Sequence, residues 1–172
     1  MKRRPLLIFA VLFLAGCATG RYKPDNPKAK VVFADLNGDG ADEIIERLDS
    51  DSGAASEITV KSNTKGHETI DSFSVPGKIR AMDLGELNMD GQNWIAISFD
   101  SPDGASNLAV YELNDNKLSK VFYTASLYGI QTDFSSTLSR IRIGKKPRNP
   151  DSPNLVPDWE TWVWSGDRFV RQ

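Results

Sequence analysis

One stretch of the chain repeats oxygen-bearing side chains at the spacing a hard cation requires: Asp35-Leu36-Asn37-Gly38-Asp39-Gly40-Ala41-Asp42-Glu43. With Asp35 as the first position, side-chain oxygens fall at the first, third, fifth and ninth, and a glycine occupies the sixth, where such a loop turns sharply. Ca²⁺ takes six to eight oxygens at about 2.3–2.6 Å, and a short acidic loop can supply them. Asn-Gly and Asp-Gly pairs also favour plain tight turns, but a turn alone gives no reason for the acid at the ninth position. A degraded copy follows at Glu86-Leu87-Asn88-Met89-Asp90-Gly91. There Glu86 replaces the first aspartate and Trp94 stands where the ninth-position acid would be, so little or no metal binding is expected and Trp94 is expected to pack between strands.

Other chemistry is sparse. His67 is the sole histidine and lies in a turn-like run, Asn63-Thr64-Lys65-Gly66-His67. No Ser-His-Asp arrangement, zinc constellation or glycine-rich phosphate loop is present. A glycosidase-type carboxylate pair is defined in space and not in sequence, and nothing selects one. Trp159, Trp162 and Trp164 form the densest aromatic cluster, with Trp162, Trp164 and Glu160 on one face of a strand. That face reads as core, since large aromatics dominate burial, with a sugar- or peptide-binding platform as the alternative. Asp49-Ser50-Asp51 reads as a solvated turn.

The elements that must carry the acidic loop are strands. Short segments rich in β-branched and aromatic residues run from Lys30 to Ala34, Glu43 to Leu48, Glu57 to Lys61 and Thr69 to Val75. The pattern resumes at Lys78 to Leu84, Trp94 to Phe99, Leu108 to Leu113 and Leu118 to Tyr123. Gly, Asn, Asp and Ser separate them, and period-two alternation is visible in Leu108-Ala109-Val110-Tyr111, which together predict an all-β domain. Asn37, Asp39, Gly40 and Ile44 align with Asn88, Asp90, Gly91 and Ile95 at a constant offset, so the loop belongs to a repeat. A period of about 40–50 residues with about four strands is the pattern of propeller blades. The expected units are residues 30–77, 78–125 and a degenerate third, 126–172, built from Leu138 to Ile143, Trp159 to Trp164 and Asp167 to Val170. The third lacks the acidic loop and holds a proline-rich stretch, Lys145 to Pro157, read as an insertion or a contact surface. Propellers usually close with four to eight blades, so three units imply an incomplete propeller or one completed by further chains.

The run Val32-Phe33-Ala34-Asp35-Leu36-Asn37-Gly38-Asp39-Gly40-Ala41-Asp42-Glu43-Ile44 resembles the FG-GAP and VCBS repeat families, the propeller repeats of integrin-α type. In those families this loop joins two strands of a blade and binds calcium. By position, the resemblance implies side-chain ligands at Asp35, Asn37, Asp39 and Glu43, with the carbonyl of Ala41. The same run fits an EF-hand formula, because Glu46 stands at the twelfth position. An EF-hand needs flanking helices, however, and Lys30-Val31-Val32-Phe33 and Ile44-Ile45 favour strands.

The N-terminus is a targeting segment. Lys2, Arg3 and Arg4 precede an apolar run from Leu6 to Ala15, which is too short for the roughly 20 residues a membrane-spanning helix needs and reads as a secretory signal. It ends in Leu14-Ala15-Gly16-Cys17, which resembles the bacterial lipoprotein box. The resemblance implies removal of residues 1–16 and lipidation of Cys17, the only cysteine, anchored stably by more than one acyl chain. Ala18 in place of aspartate implies, by the same resemblance, the outer membrane, facing the periplasm. Residues 17–29, with Pro24 and Pro27, read as a tether, and 30–172 as the β-repeat domain. The mature chain keeps 18 basic and 23 acidic residues, net −5. An acidic balance argues against nucleic acid or an anionic lipid surface as a partner, since both need a basic patch.

The expectation is therefore an envelope binding or scaffolding module with one structural calcium ion, not an enzyme. Its expected contacts are the membrane through Cys17, a protein partner through Lys145 to Pro157 or through Trp159 to Trp164, and further copies of itself. The rival readings are an enzyme acting on envelope polysaccharide and an accessory subunit of a membrane complex.

Overall fold

A computed structural model describes residues 22–64, 66–88, 90–135, 138–147 and 157–172. Cys17 and residues 148–156 of the proline-rich stretch lie outside them. Every regular element among the described residues is a strand, and no helix there is long and apolar enough to cross a membrane.

Twelve strands form three four-stranded antiparallel sheets, each a meander of consecutive strands. The first holds β1 (Lys30–Ala34), β2 (Glu43–Asp49), β3 (Ala55–Lys61) and β4 (Thr69–Pro76). The second holds β5 (Lys78–Glu86), β6 (Asn93–Asp100), β7 (Ser106–Asn114) and β8 (Lys117–Ser126). The third holds β9 (Ile130–Ser135), β10 (Leu138–Lys145), β11 (Asp158–Trp164) and β12 (Phe169–Arg171). The expected strands are present. The sequence reading lacked β9, so the strand beginning at Leu138 is the second of its sheet. β9 (Ile-Gln-Thr-Asp-Phe-Ser) is short and mostly polar, and its Ile130 packs against the core shared with the second sheet.

The second sheet is the middle layer. Ile95, Ile97 and Phe99 pack with Ile45, Ile58, Val60 and Val75 of the first sheet. From the opposite face, Trp94, Ala96, Leu108 and Val110 pack with Ile141, Ile143 and Phe169 of the third. A strand covered on both faces has no solvent side to keep polar, so β6 runs Trp94-Ile95-Ala96-Ile97 without alternation, all four buried. β3 has one covered face and alternates: Ser56, Ile58 and Val60 are buried while Glu57 is exposed. The face of the first sheet turned away from the stack carries Phe33, Ile44, Glu46, Thr59 and Lys61, following the cross-strand pairs Phe33–Ile44, Ile44–Lys61 and Glu46–Thr59.

Two glycines make the crossings between sheets. Gly77 joins β4 to β5 at φ +94°, and a Cβ there would lie 1.9 Å from the Asp100 carbonyl oxygen. Gly129 joins β8 to β9 at φ +93°, and its carbonyl accepts from Gly144 N at 2.9 Å. A side chain would be strained at either conformation, and at Gly77 there is also no room for one. A buried polar knot ties the first crossing. Arg47, 8 % exposed, donates to Asp49 through Nε (2.9 Å) and Nη2 (2.8 Å) and to the Ile79 carbonyl at 2.5 Å. The Ser56 hydroxyl lies 2.8 Å from Asp49 Oδ1 and 3.1 Å from the Gly77 carbonyl. Burial works to raise the Asp49 carboxyl, but hydrogen bonds from Arg47 and Ser56 and the Arg47 charge hold it below its ordinary range.

Candidate metal loop and its neighbours

The acidic loop joins β1 to β2 at one end of the first sheet. Its backbone is wound by its own side chains. Asp35 Oδ1 accepts from Gly38 N and Oδ2 from Gly40 N, both at 2.7 Å. Asn37 Oδ1 accepts from Asp39 N at 2.9 Å, and Asp39 Oδ1 from Ala41 N at 2.8 Å. Short acceptors bonding to an amide two residues on are the usual chemistry of Asx turns. Gly38 (φ 76°) and Gly40 (φ 85°) supply the left-handed steps, and the sixth-position glycine is one of them.

Glu43 turns back under the loop from the first residue of β2. It is 5 % exposed. Its Oε2 accepts from Leu36 N at 2.8 Å and its Oε1 from Asn37 Nδ2 at 3.1 Å. The same Nδ2 donates to Asp39 Oδ2 at 3.0 Å. The neutral Asn37 amide thus stands between two carboxylates, where a positive charge would be favoured. Desolvation pushes the Glu43 carboxyl above its ordinary value; the Leu36 amide opposes this, and the nearby Asp39, Asp35 and Asp42 charges add to the rise. None of these four acids forms an ion pair with a described residue.

Within the predicted ligand set, Asn37 bridges Asp39 and Glu43, while Asp35 spends both oxygens on the Gly38 and Gly40 N–H groups. Among the described residues no group of three or more His, Cys, Asp and Glu is arranged to hold a metal ion. The bonds give the physical reason: the Asn37 amide and the Gly38 and Gly40 N–H groups take up the carboxylate oxygens a cation would use. In kind, the donors fit a hard cation, being all oxygen, with a buried carboxylate that lacks a counter-charge. A cation in place of the Asn37 amide would be served by Asp35, Asp39 and Glu43, by Asn37 Oδ1 once the amide turns over, and by the Ala41 carbonyl.

The second loop keeps the turn and gives its side chains other work. Gly91 has φ 86°, close to that of Gly40, and Asp90 Oδ1 accepts from Gln92 N at 3.0 Å, as Asp39 does from Ala41. Asn93 donates from both its backbone N (2.8 Å) and its Nδ2 (3.0 Å) to the carbonyl of Asp35. Asn88 Oδ1 accepts from Trp164 Nε1 of the third sheet at 2.6 Å. The degraded loop bridges all three sheets. The spacing aligned Asn88 with Asn37 but could not show the partner of Asn88 76 residues away, nor that of Asn93 58 residues away.

A polar cleft of about 480 Å³ opens beside the first loop, lined by Asn37, Asp39, Glu43, Thr64, Glu68 and Asn116 among others. Trp162 and Trp164 face inward and pack on Phe122 and Phe169, with Trp164 edge-on to Trp94 at 4.6 Å. Trp94 is 4 % exposed, between the second and third sheets. Trp159 lies under the Arg142 guanidinium at 4.9 Å, so the tryptophan strand divides between two surroundings.

The segment expected to be a plain tether is docked from Tyr22 onward. Tyr22 Oη donates to Glu46 at 2.5 Å and accepts from Lys61 Nζ at 3.0 Å, and its ring meets His67 edge-on at 4.9 Å. Lys61 also pairs with Glu46 at 3.0 Å and with Asp25 at 3.5 Å. Its hydrogen bond to Tyr22, together with Glu46 and against the cost of burial, raises the Lys61 ammonium well above the ordinary lysine range. Burial and the Glu46 contact also raise the Tyr22 phenol. The composition of the segment read as a linker gave no sign of these contacts; the signal was a lone aromatic, Tyr22, in an otherwise polar run.

Comparison with protein-family models, with curated proteins and with solved structures returns no match.

Proposed function

We propose that this chain is a lipid-anchored envelope protein that serves as a binding or scaffolding module, with a structural calcium ion held by the loop from Asp35 to Glu43. The observation that carries the metal reading is the buried Glu43 carboxylate. It faces the charges of Asp35, Asp39 and Asp42, and its partner on one oxygen is a neutral amide. A divalent cation there relieves repulsion that the fold otherwise sustains. Because β1 and β2 are joined by this loop, and Asn93 grips its first residue, the ion would fasten the first sheet to the second. The three stacked four-stranded meanders are read as blades of an incomplete propeller. The anchor rests on the motif ending in Cys17.

The test is a calcium titration of the mature domain followed by melting temperature. Extracellular sites bind with Kd of about 10⁻⁴–10⁻³ M, and a free concentration tenfold above Kd stabilises by roughly 1.4 kcal/mol. For a domain of this size that is a rise of about 3–6 °C. A rise that saturates and vanishes in Asp39→Ala supports the site. A flat response at several millimolar reduces the loop to a turn.

A further inference from the structure

We infer that the docked segment beginning at Tyr22 is a short leash that holds the outer face of the first sheet toward the membrane, its partner being the anionic headgroup layer that receives the acyl chains of Cys17. The inference rests on the proposed lipidation and adds an orientation to it. Tyr22 lies five positions after Cys17, and five backbone steps reach at most about 18 Å however they are drawn out. Were residues 18–29 free, the first fixed point would be Lys30, and the reach would be about 45 Å, enough for the domain to tumble. The grip at Tyr22 removes that freedom. Its hydroxyl is held by Glu46 and Lys61, its ring by His67, and Asp25 adds a second contact to Lys61.

Glu46 and Lys61 belong to the outward face of the first sheet, opposite Ile45 and Val60 in the core. The leash therefore leaves the domain from that face, which also carries Phe33, 47 % exposed. Charge points the same way. Residues 18–30 carry Arg21, Lys23, Lys28 and Lys30 against Asp25; Lys28 pairs with Asp51 at 2.8 Å and Lys30 with Asp49 at 3.8 Å, so the positive charge the segment brings beyond these pairs is that of Arg21 and Lys23. Basic residues next to an anionic surface are attracted within about a Debye length, while the remaining acidic domain is repelled. Stacked sheets lie about 10 Å apart, so the outer face of the third sheet, carrying Gln131 and Arg142, would stand some 20 Å farther from the bilayer.

The experiment uses the full acylated chain in vesicles of phosphatidylethanolamine and phosphatidylglycerol with nitroxide-labelled headgroups. Acylation blocks Cys17, so a fluorophore attaches only at an introduced cysteine, in Phe33→Cys or Gln131→Cys. The label at position 33 is expected to be quenched several-fold more than that at 131, and Tyr22→Ala is expected to bring the two together. Tyr22 lies outside the sheets, and an unchanged melting temperature establishes that the variant keeps its fold. Equal quenching at both positions in the parent, or a difference that survives Tyr22→Ala, overturns the leash. Mass spectrometry of the mature N-terminus separates this from failure of the anchor: a chain without acyl mass overturns the lipoprotein reading and the leash with it.

Discussion

Asn93 closes on the backbone carbonyl of Asp35 with two donors at once, its main-chain N–H at 2.8 Å and its side-chain amide at 3.0 Å. The two residues belong to successive repeats, and the contact makes the degraded loop of one repeat a clamp on the acidic loop of the other. Asn93→Ala should remove the side-chain donor and keep the backbone one. A loss of about 1 kcal/mol is the typical value of such a bond, or roughly 2–4 °C in melting temperature. If calcium sits in the loop, its affinity should fall in parallel. Thermal melts of parent and variant, with and without calcium, check both parts.

Gly77 offers the sharpest stability test. A Cβ at this position would meet the Asp100 carbonyl oxygen, and φ is +94°. Gly77→Ala combines left-handed strain of about 1–2 kcal/mol with an overpacking cost of about 1–3 kcal/mol. It should lower the melting temperature by about 10 °C. Gly40→Ala, at φ +85° with nothing within 4 Å of the added methyl, should show only the strain. Similar losses in the two variants would contradict the crowding at the crossing.

Glu43 makes the metal-free protein depend on pH in an unusual direction. Its folded carboxyl titrates above its ordinary value of 4.5, so the folded state holds this proton more tightly than the unfolded chain does. That contribution is fully present below the unfolded value and is lost as pH rises through the folded one. Metal-free stability should therefore increase as pH falls from neutral toward about 4.5. Asp49 has the opposite sign: its carboxyl is lowered, so its contribution is present above the ordinary aspartate value and is lost as pH falls below it. Denaturant unfolding from pH 3 to pH 7.5 should show a maximum between these limits. The rising arm should be missing in Glu43→Gln, and its persistence there would assign the effect to another group.

The core on the second interface can be tested at Trp164, whose Nε1 donates to Asn88 Oδ1 and whose ring meets Trp94. Trp164→Phe keeps an aromatic ring and deletes the bond, so about 1 kcal/mol is expected. Trp164→Ala deletes the packing as well, and for this partly buried ring a loss of about 2–3 kcal/mol is expected, below the range of a fully buried aromatic. Trp164 would be a surface platform, not a core residue, if both variants melted with the parent.

Much of this architecture was legible in the residues. β3 betrays its single covered face through alternation, and the Asn, Asp and Gly clusters mark where strands must end. The recurrence of Asn37-Gly38-Asp39-Gly40 as Asn88-Met89-Asp90-Gly91 announced two equivalent turns, and both glycines adopt nearly the same left-handed φ. These are local properties: side-chain period, turn chemistry and the steric freedom of glycine act over a few residues. The oxygen set of the first loop was readable for the same reason, since Asp35 to Glu43 is one continuous stretch.

What the sequence alone determined is an all-β chain of repeated units with one acid-rich loop. Tertiary structure decided which surfaces these units share. It made the second sheet a layer buried on both sides, which turned Trp94 and Ala96 as well as Ile95 and Ile97 into core. It supplied β9, whose mostly polar residues declare no strand by themselves. It placed Asn93 on Asp35, Asn88 under Trp164 and Tyr22 on Glu46 and Lys61. Such contacts join residues 24 to 76 positions apart, and their energies depend on burial and geometry that exist only once the sheets have stacked. Periodicity records how each segment folds on itself, whereas the partner of a buried polar group is set by the layer that covers it.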